Sequence, residues 1–165
     1  MLLNIAKAKE VDIERIRSMA LVAFPYAYKD ILSKEQSEYM LNMMYSPESI
    51  LEQMRSGHEY FIALSGAEDC GYVSIQRQTA ELFHLQKIYV MPEFQGMGVG
   101  GFMSAQAIKC IKQIRPEKCT IELNVNRNNK ALGFYKHLGM RKVRQGDFPI
   151  GGGFFMNDYI MSVEI

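Results

Sequence analysis

The chain has 165 residues, 48% of them hydrophobic, and a formal net charge of +1 at pH 7. That length and composition suit a single globular domain over residues 1–165 that buries a real core. A charge so close to zero, with acids and bases interspersed, gives no electrostatic case for a nucleic-acid or membrane partner.

Residues 2–8 read as a first strand. Asp12 then stands where a helix N-cap belongs, and Ile13, Ile16, Ala20 and Phe24 follow at helical spacing. Ser33 to Gln36, SKEQ, has the form of a capping box opening a second helix through EYMLNMMY. Pro47 in SPES marks a further helical turn or two. The period then changes. YFIALS (60–65) and GYVSIQRQ (71–78) read as strands, with GAEDCG as the hairpin turn between them. Residues 81–91, ELFHLQKIYVM, form a third β segment that Pro92 ends. After a glycine-rich loop, Phe102, Ala105, Ile108 and Ile111 recur on one helical face. Residues 119–125 read as a strand, and 128–139 as a short helix closed by Gly139. Two late strands near 140–146 and 153–163 finish the chain. The order β-α-α-β-β-β-α-β-α-β-β describes a mixed α/β domain with helices on both sheet faces.

Three cysteines, Cys70, Cys110 and Cys119, cannot all pair and show no C-x-x-C spacing. They read as reduced thiols of a cytoplasmic protein, with no disulfide framework and no metal site. The N-terminus meets charge at Lys7, too soon for a signal sequence. No apolar run approaches the roughly 20 residues that cross a bilayer.

The stretch FQGMGVGG, Phe94 to Gly101, satisfies two patterns at once. Gly96, Gly98 and Gly101 match G-x-G-x-x-G, the dinucleotide fingerprint, whereas Gln95, Gly98 and Gly100 match Q-x-x-G-x-G. The dinucleotide pattern requires glycines directly after the strand and an acid ending the next one. Here Pro92 to Gln95 intervene, and the next strand ends in Asn124 and Asn126, with Glu122 in its middle. A merely flexible turn is the plainer alternative. Yet four glycines at a helix start cost about 1 kcal/mol each against alanine, which close approach of backbone to a ligand explains better.

The second pattern has support further along. IYVMPEFQGMGVGG followed by LNVNRNNKALGFYKHLGM resembles the two signature motifs of the GNAT superfamily of acetyl-CoA-dependent N-acetyltransferases. Ile88, Val90, Pro92, Gln95, Gly98 and Gly100 occupy the places of the first motif. Asn128, Ala131, Phe134, Tyr135 and Gly139 occupy those of the second, with Met140 replacing its aromatic. The resemblance implies the GNAT fold: a mixed, largely antiparallel sheet of about seven strands, splayed between the fourth and fifth and flanked by about four helices. It implies acetyl-CoA as cosubstrate and direct acetyl transfer to a primary amine in a ternary complex, without metal or covalent intermediate. Gln95, Gly96, Met97, Gly98, Val99, Gly100 and Gly101 would hold the CoA pyrophosphate. Ile88, Tyr89 and Val90 would hold the pantetheine arm, with Asn124, Asn128 and Tyr135 lining the same cleft.

By the same resemblance Tyr135 matches the general acid that protonates the leaving thiolate; a packed aromatic is the alternative. His84 stands where some members carry a glutamate base, and an imidazole suits proton uptake near neutral pH. A half-buried strand histidine satisfied by a neighbour is equally open. Gln86 shares its face, Glu81 could act only through water, and His58 and His137 read as surface residues. The variable segments 24–32 and 145–161 would shape the acceptor site, with Phe24, Tyr26, Tyr28, Gln86, Phe155 and Asp158 as candidates. Aromatics and carboxylates could hold a cationic amine, or the same residues could pack the core or a homodimer interface. Residues 32–54 and 150–161 look more specifically like a bacterial branch that includes spermidine/spermine N-acetyltransferases. Polyamines, other small amines and peptide N-termini are therefore the expected acceptors. The competing class is a non-catalytic acyl-CoA-binding sensor, which would keep the glycine loop and lose its acid and base.

Overall fold

The computed structural model describes residues 1–165. One sheet of seven strands has the order β1-β2-β3-β4-β5-β7-β6. The strands are β1 (Leu3–Lys7), β2 (His58–Ser65), β3 (Glu68–Arg77), β4 (Leu82–Val90), β5 (Thr120–Asn126), β6 (Arg141–Gly151) and β7 (Phe154–Glu164). Five α-helices flank it: α1 (Ile13–Tyr28), α2 (Lys34–Tyr45), α3 (Pro47–Arg55), α4 (Val99–Ile114) and α5 (Leu132–His137). Every neighbouring pair is antiparallel except β4 and β5. The sheet is therefore mixed and largely antiparallel, as expected. The helices number one more than expected, because 47–55 winds into a full helix rather than a turn or two.

Local signals explain most helix starts. Ser33 Oγ accepts the Gln36 N–H at 3.1 Å, and Ser46 Oγ accepts the Ser49 N–H at 3.2 Å ahead of Pro47. The return arm of the expected capping box is not made. Gln36 instead donates its side-chain amide to the Phe155 carbonyl at 2.7 Å, tying α2 to β7. Asp12 does precede α1, but its carboxylate accepts the Lys9 N–H of the turn before. Gly139, at φ +91°, closes α5 in the left-handed conformation that glycine adopts most readily.

The sheet buries an apolar core on each face. Phe83, Leu85, Met103, Ile111 and Met161 belong to the side covered by α4 and α5. Ile16, Phe24, Tyr45, Ile50, Tyr60 and Tyr72 belong to the side covered by α1, α2 and α3. The buried stripe of α4 is Val99, Met103, Ala107 and Ile111, at i, i+4 spacing, while Ala105 is exposed. The three-residue spacing expected from Phe102 to Ile111 drifts around a 3.6-residue helix, so it overstated that face. The hairpin between β2 and β3 needs only Gly66 and Ala67, not six residues, and both strands run longer than expected.

Two irregularities in β4 open the sheet and redirect its side chains. Its parallel pairing with β5 covers only Leu82↔Thr120, Phe83↔Ile121 and His84↔Glu122, after which the strands separate. In its pairing with β3, Ile75 faces Leu85 but Ser74 faces Lys87, which leaves Gln86 as the extra residue of a bulge. Phe83 and Leu85 point to the α4 side; beyond the bulge Ile88 and Val90 do so. Tyr89 points to the α1–α3 side, and Lys87 reaches Gln53 and Tyr60 there. The backbones are close at this level. A Cβ on Gly71 would stand 2.7 Å from the Tyr89 carbonyl oxygen and 2.9 Å from Met103 Cε.

Candidate active site

Separation of β4 from β5 frees the backbone of β4 on one side. The Met91 N–H donates to the Cys70 carbonyl on β3 at 2.9 Å. Groups alternate along a strand, so the N–H groups of Ile88 and Val90 point the other way, into the gap. Val90 O is met there only by the Gln95 side chain, at 3.5 Å.

The gap ends at the start of α4. Gly96 and Gly98 have φ of +77° and +82°, and Gly98 is the N-cap residue of the helix. The first intrahelical bond runs from the Phe102 N–H to the Gly98 carbonyl at 3.0 Å. The first-turn N–H groups of Val99, Gly100 and Gly101 therefore have no partner within the helix, and they sit at the positive end of a 16-residue dipole. Gln95, Gly96, Met97, Gly98 and Gly101 are exposed, and residues 94–101 include no basic side chain. A site of this kind takes an anionic phosphate group on backbone alone.

On the α1–α3 side of the sheet a row of polar residues crosses the strands in register: His58↔Gln76, Gln76↔His84, His84↔Glu122 and Glu122↔Ser162. His84 lies at the last paired position before the gap. Its Nε2 is 3.1 Å from Asn124 Oδ1, and Asn124 Nδ2 donates to Asp158 Oδ2 at 3.4 Å. Because that amide gives its N–H to a carboxylate, its oxygen faces the imidazole, which donates from Nε2 and keeps its lone pair on Nδ1. Burial lowers the His84 pKa, against the opposing pull of Asn124 and Glu122, so the ring is neutral near pH 7. Burial raises the Asp158 pKa, against Asn124 and Arg127. Glu122 is taken by Arg144, at 2.9 Å.

Tyr135, on α5, is buried and in T-shaped contact with Phe134 at 5.4 Å between centroids. Burial, with Tyr28 nearby, raises its pKa above the usual tyrosine value, so it holds its proton at neutral pH. The Tyr28 hydroxyl accepts the Asn129 side-chain N–H at 3.4 Å. Turns at Asn126 and Asn129 shape the approach to α5: their side chains accept the N–H groups of Asn128 and Ala131 at 2.9 and 2.8 Å. Asn128 itself is exposed and is not the N-cap of α5, which is Ala131.

The candidate acceptor residues do not all reach one surface. Phe24 is 1% exposed and packs against Tyr28, Tyr45 and Tyr89, so it belongs to the core beneath the site. Tyr26 is exposed, with the Lys29 ammonium 4.6 Å from its ring centre. Phe155 is exposed on the β6–β7 hairpin, and Gln86 bonds Gln76 at 3.0 Å. Glu81 pairs with Arg115 at 3.4 Å. His137 is exposed as expected, whereas His58 is not the surface residue expected: it opens β2, half-buried.

The expectations drawn from sequence missed Lys87. It is 8% exposed, and its Nζ donates to Gln53 Oε1 at 2.6 Å and to the Tyr60 hydroxyl at 2.5 Å. Its ammonium lies 4.9 and 5.1 Å from the ring centres of Tyr45 and Tyr60. Burial alone pulls its pKa down to about 7. A lysine inside FHLQKIYV was the only signal available. Simple alternation puts it with Leu85 on the α4 side, and the bulge at Gln86 reverses that.

Comparison with known proteins fits this geometry. The model of the acetyltransferase (GNAT) domain matches residues 28–149. The fold is similar to that of the PaiA N-acetyltransferase from Thermoplasma acidophilum in complex with coenzyme A, at TM-score 0.83 and 22% identity over 100% of both chains. It is also similar to Ard1 from Thermoplasma volcanium, at TM-score 0.76 and 16% identity over 100% of this chain and 99% of that one. The ribosomal-protein-S18-alanine N-acetyltransferase from Escherichia coli aligns at TM-score 0.75 and 15% identity, over 99% of this chain and 94% of that one.

Proposed function

The chain belongs to the acetyltransferase (GNAT) domain family, and on that premise we propose that it transfers the acetyl group of acetyl-CoA to a primary amine by direct attack in a ternary complex. The carrying observation is the gap itself: free Ile88 and Val90 N–H groups beside a helix that starts on Gly98. Acetyl-CoA supplies the activated acyl carbon. The N–H groups from Gly98 to Gly101, with the loop from Gln95, take its pyrophosphate. Ile88 and Val90 align the arm on either side of Tyr89 and polarise the thioester carbonyl, and Asn124 and Asn128 border the cleft from the β5 side.

The acceptor reaches the enzyme as an ammonium and must lose a proton before its nitrogen can attack. His84, neutral and held in place by Asn124 and Asp158, takes that proton. Tyr135, protonated at neutral pH, gives one to the departing sulfur. No covalent enzyme intermediate is needed; Cys70 and Cys119 are buried, and burial raises the Cys70 and Cys110 thiols above the ordinary range. Reduced thiols support a cytoplasmic location, and one domain over 1–165 carries the whole reaction. Among amines, we favour small ones, polyamines included, over peptide N-termini. The likeness of residues 32–54 and 150–161 to the polyamine-acetylating branch supports that choice.

The test is release of CoA thiol from acetyl-CoA across polyamines, amino acids, aminoglycosides and N-terminal peptides. Release with at least one amine, matched by acetylated product, is expected. Saturable acetyl-CoA binding with no release on any amine would favour an acyl-CoA sensor instead.

A further inference from the structure

We infer that Asp158 anchors a second, non-reacting ammonium of the acceptor, so that the preferred substrate is a short diamine or polyamine rather than a monoamine. This rests on the acetyl-transfer reading. Asp158 is 2% exposed, on the α1–α3 side of the sheet with Asn124. It joins no ion pair, and its one hydrogen bond is the 3.4 Å contact of Oδ2 with the Asn124 amide. A carboxylate buried that deeply ordinarily has a cation or several donors beside it.

The neighbouring groups are committed elsewhere. Arg127 gives one guanidinium nitrogen to the Gly146 carbonyl at 3.2 Å and another to Asp147 at 2.5 Å. Arg144 pairs with Glu122, and the Lys142 ammonium lies 3.9 Å from the ring centre of Tyr159. Asn126, directly across β5 from Asp158, has its side-chain oxygen occupied by the Asn128 N–H. Asp158 Oδ1 accepts no bond from the protein, yet it is not sealed. The polar side-chain atoms that are both shut from solvent and unpartnered are His58 Nδ1, His84 Nδ1 and Ser74 Oγ. Asp158 Oδ1 therefore faces an opening. Burial also holds this carboxyl above its ordinary pKa, a cost that a bound ammonium relieves.

An aromatic ring stands beside the carboxylate. Gly146 faces Asp158 across β6 and β7, and a Cβ there would lie 2.8 Å from Phe148 Cζ. The missing side chain admits the Phe148 ring to the space next to Asp158. Carboxylate and ring together suit an alkylammonium. The hairpin that carries both is fixed to α2 through carbonyls it leaves free. Pro149, opposite Phe155, has no N–H to give, and Gln36 supplies the donor to the Phe155 carbonyl at 2.7 Å. The Tyr39 hydroxyl donates to the carbonyl of Ile150, the extra residue of the shift between Pro149 and Gly151, at 2.8 Å.

The nitrogen held here is not the one acetylated. β7 lies two places from β4 in the sheet, at about 4.8 Å per strand, whereas the free Ile88 and Val90 N–H groups belong to β4. A carboxylate beside the reacting nitrogen would also hold its proton on, because an anion stabilises the ammonium. Asp158 serves a nitrogen that stays charged. His84, reached from Asp158 through the single amide of Asn124, serves the nitrogen that must lose a proton.

Putrescine and butylamine share a carbon chain and differ by one ammonium. Wild type is expected to favour putrescine in kcat/KM by about tenfold or more. Asp158→Asn keeps the shape and an oxygen for Asn124, and should bring the two amines within about twofold of each other. The ratio cancels any loss common to both amines through Asn124 and His84. Phe148→Leu should lower the ratio about threefold. Equal use of both amines by wild type, or a putrescine preference that survives Asp158→Asn, would refute the second-ammonium site even if the acetyl-transfer reading stands. Calorimetric titration of each amine into the protein with excess CoA reads the same preference without turnover. Tighter putrescine binding that disappears in Asp158→Asn, with neither amine acetylated by wild type, would count against the acetyl-transfer reading alone. Equal binding of both amines to wild type would refute the site.

Discussion

His84→Gln is expected to lower kcat/KM for the acceptor amine by about 10²–10⁴-fold, the usual contribution of a positioned base. Acetyl-CoA affinity should barely change. Glutamine can still reach Asn124, so the bridge across the gap survives while the capacity to take a proton does not. Steady-state kinetics at pH 7 with both substrates varied read the two effects separately. The loss should shrink as the pH is raised toward the pKa of the free amine, because a growing fraction of acceptor then arrives neutral. A variant that keeps wild-type turnover at pH 7 would return His84 to the status of a strand histidine satisfied by Asn124.

Tyr135→Phe should cost about 10²-fold or more in kcat, with KM for acetyl-CoA nearly unchanged. The ring packs with Phe134 and is buried, so phenylalanine preserves the packing and removes only the hydroxyl. Burial holds the phenol protonated across the whole neutral range. The wild-type enzyme should accordingly show no basic limb from this residue below about pH 10. Normal turnover in the variant would take Tyr135 out of the mechanism.

Much of this architecture is legible in the chain because its cues are local. Ser33, Ser46 with Pro47, and Gly139 act within one helical turn, and the structure has helix ends at each. Pro92 stops β4 for an equally local reason, the missing N–H. The glycine loop is legible because the phosphate cradle proposed there needs backbone that only glycine leaves uncovered. Gln95 decides between the two ligand classes only through its distance from the strand.

The features missed depend on partners far away in sequence. The bulge at Gln86 is a property of the pairing of β3 with β4, and it decides which face Lys87 joins. His58 looks like loop because Gly57 precedes it; pairing with Gln76 makes it strand. Phe24 looks available for an acceptor, yet three tyrosines from α1, α2 and β4 enclose it. Asn128 stands exposed between two side-chain turns, in which Asn126 and Asn129 accept the N–H groups of Asn128 and Ala131.

The acyl-CoA site proposed at the gap and the start of α4 is tested most directly by calorimetric titration of acetyl-CoA into wild type and Gly98→Val, which requires no knowledge of the amine. A Cβ at Gly98 meets no atom within 4 Å, so the new side chain finds open space at the helix start. Its φ of +82° adds strain of about 1–2 kcal/mol, which thermal melting should register as a modest loss. Wild type is expected to bind one acetyl-CoA per chain, and the folded variant to bind at least about tenfold more weakly, a difference of roughly 1.4 kcal/mol. Equal affinity in the two proteins would contradict a CoA site at this helix start.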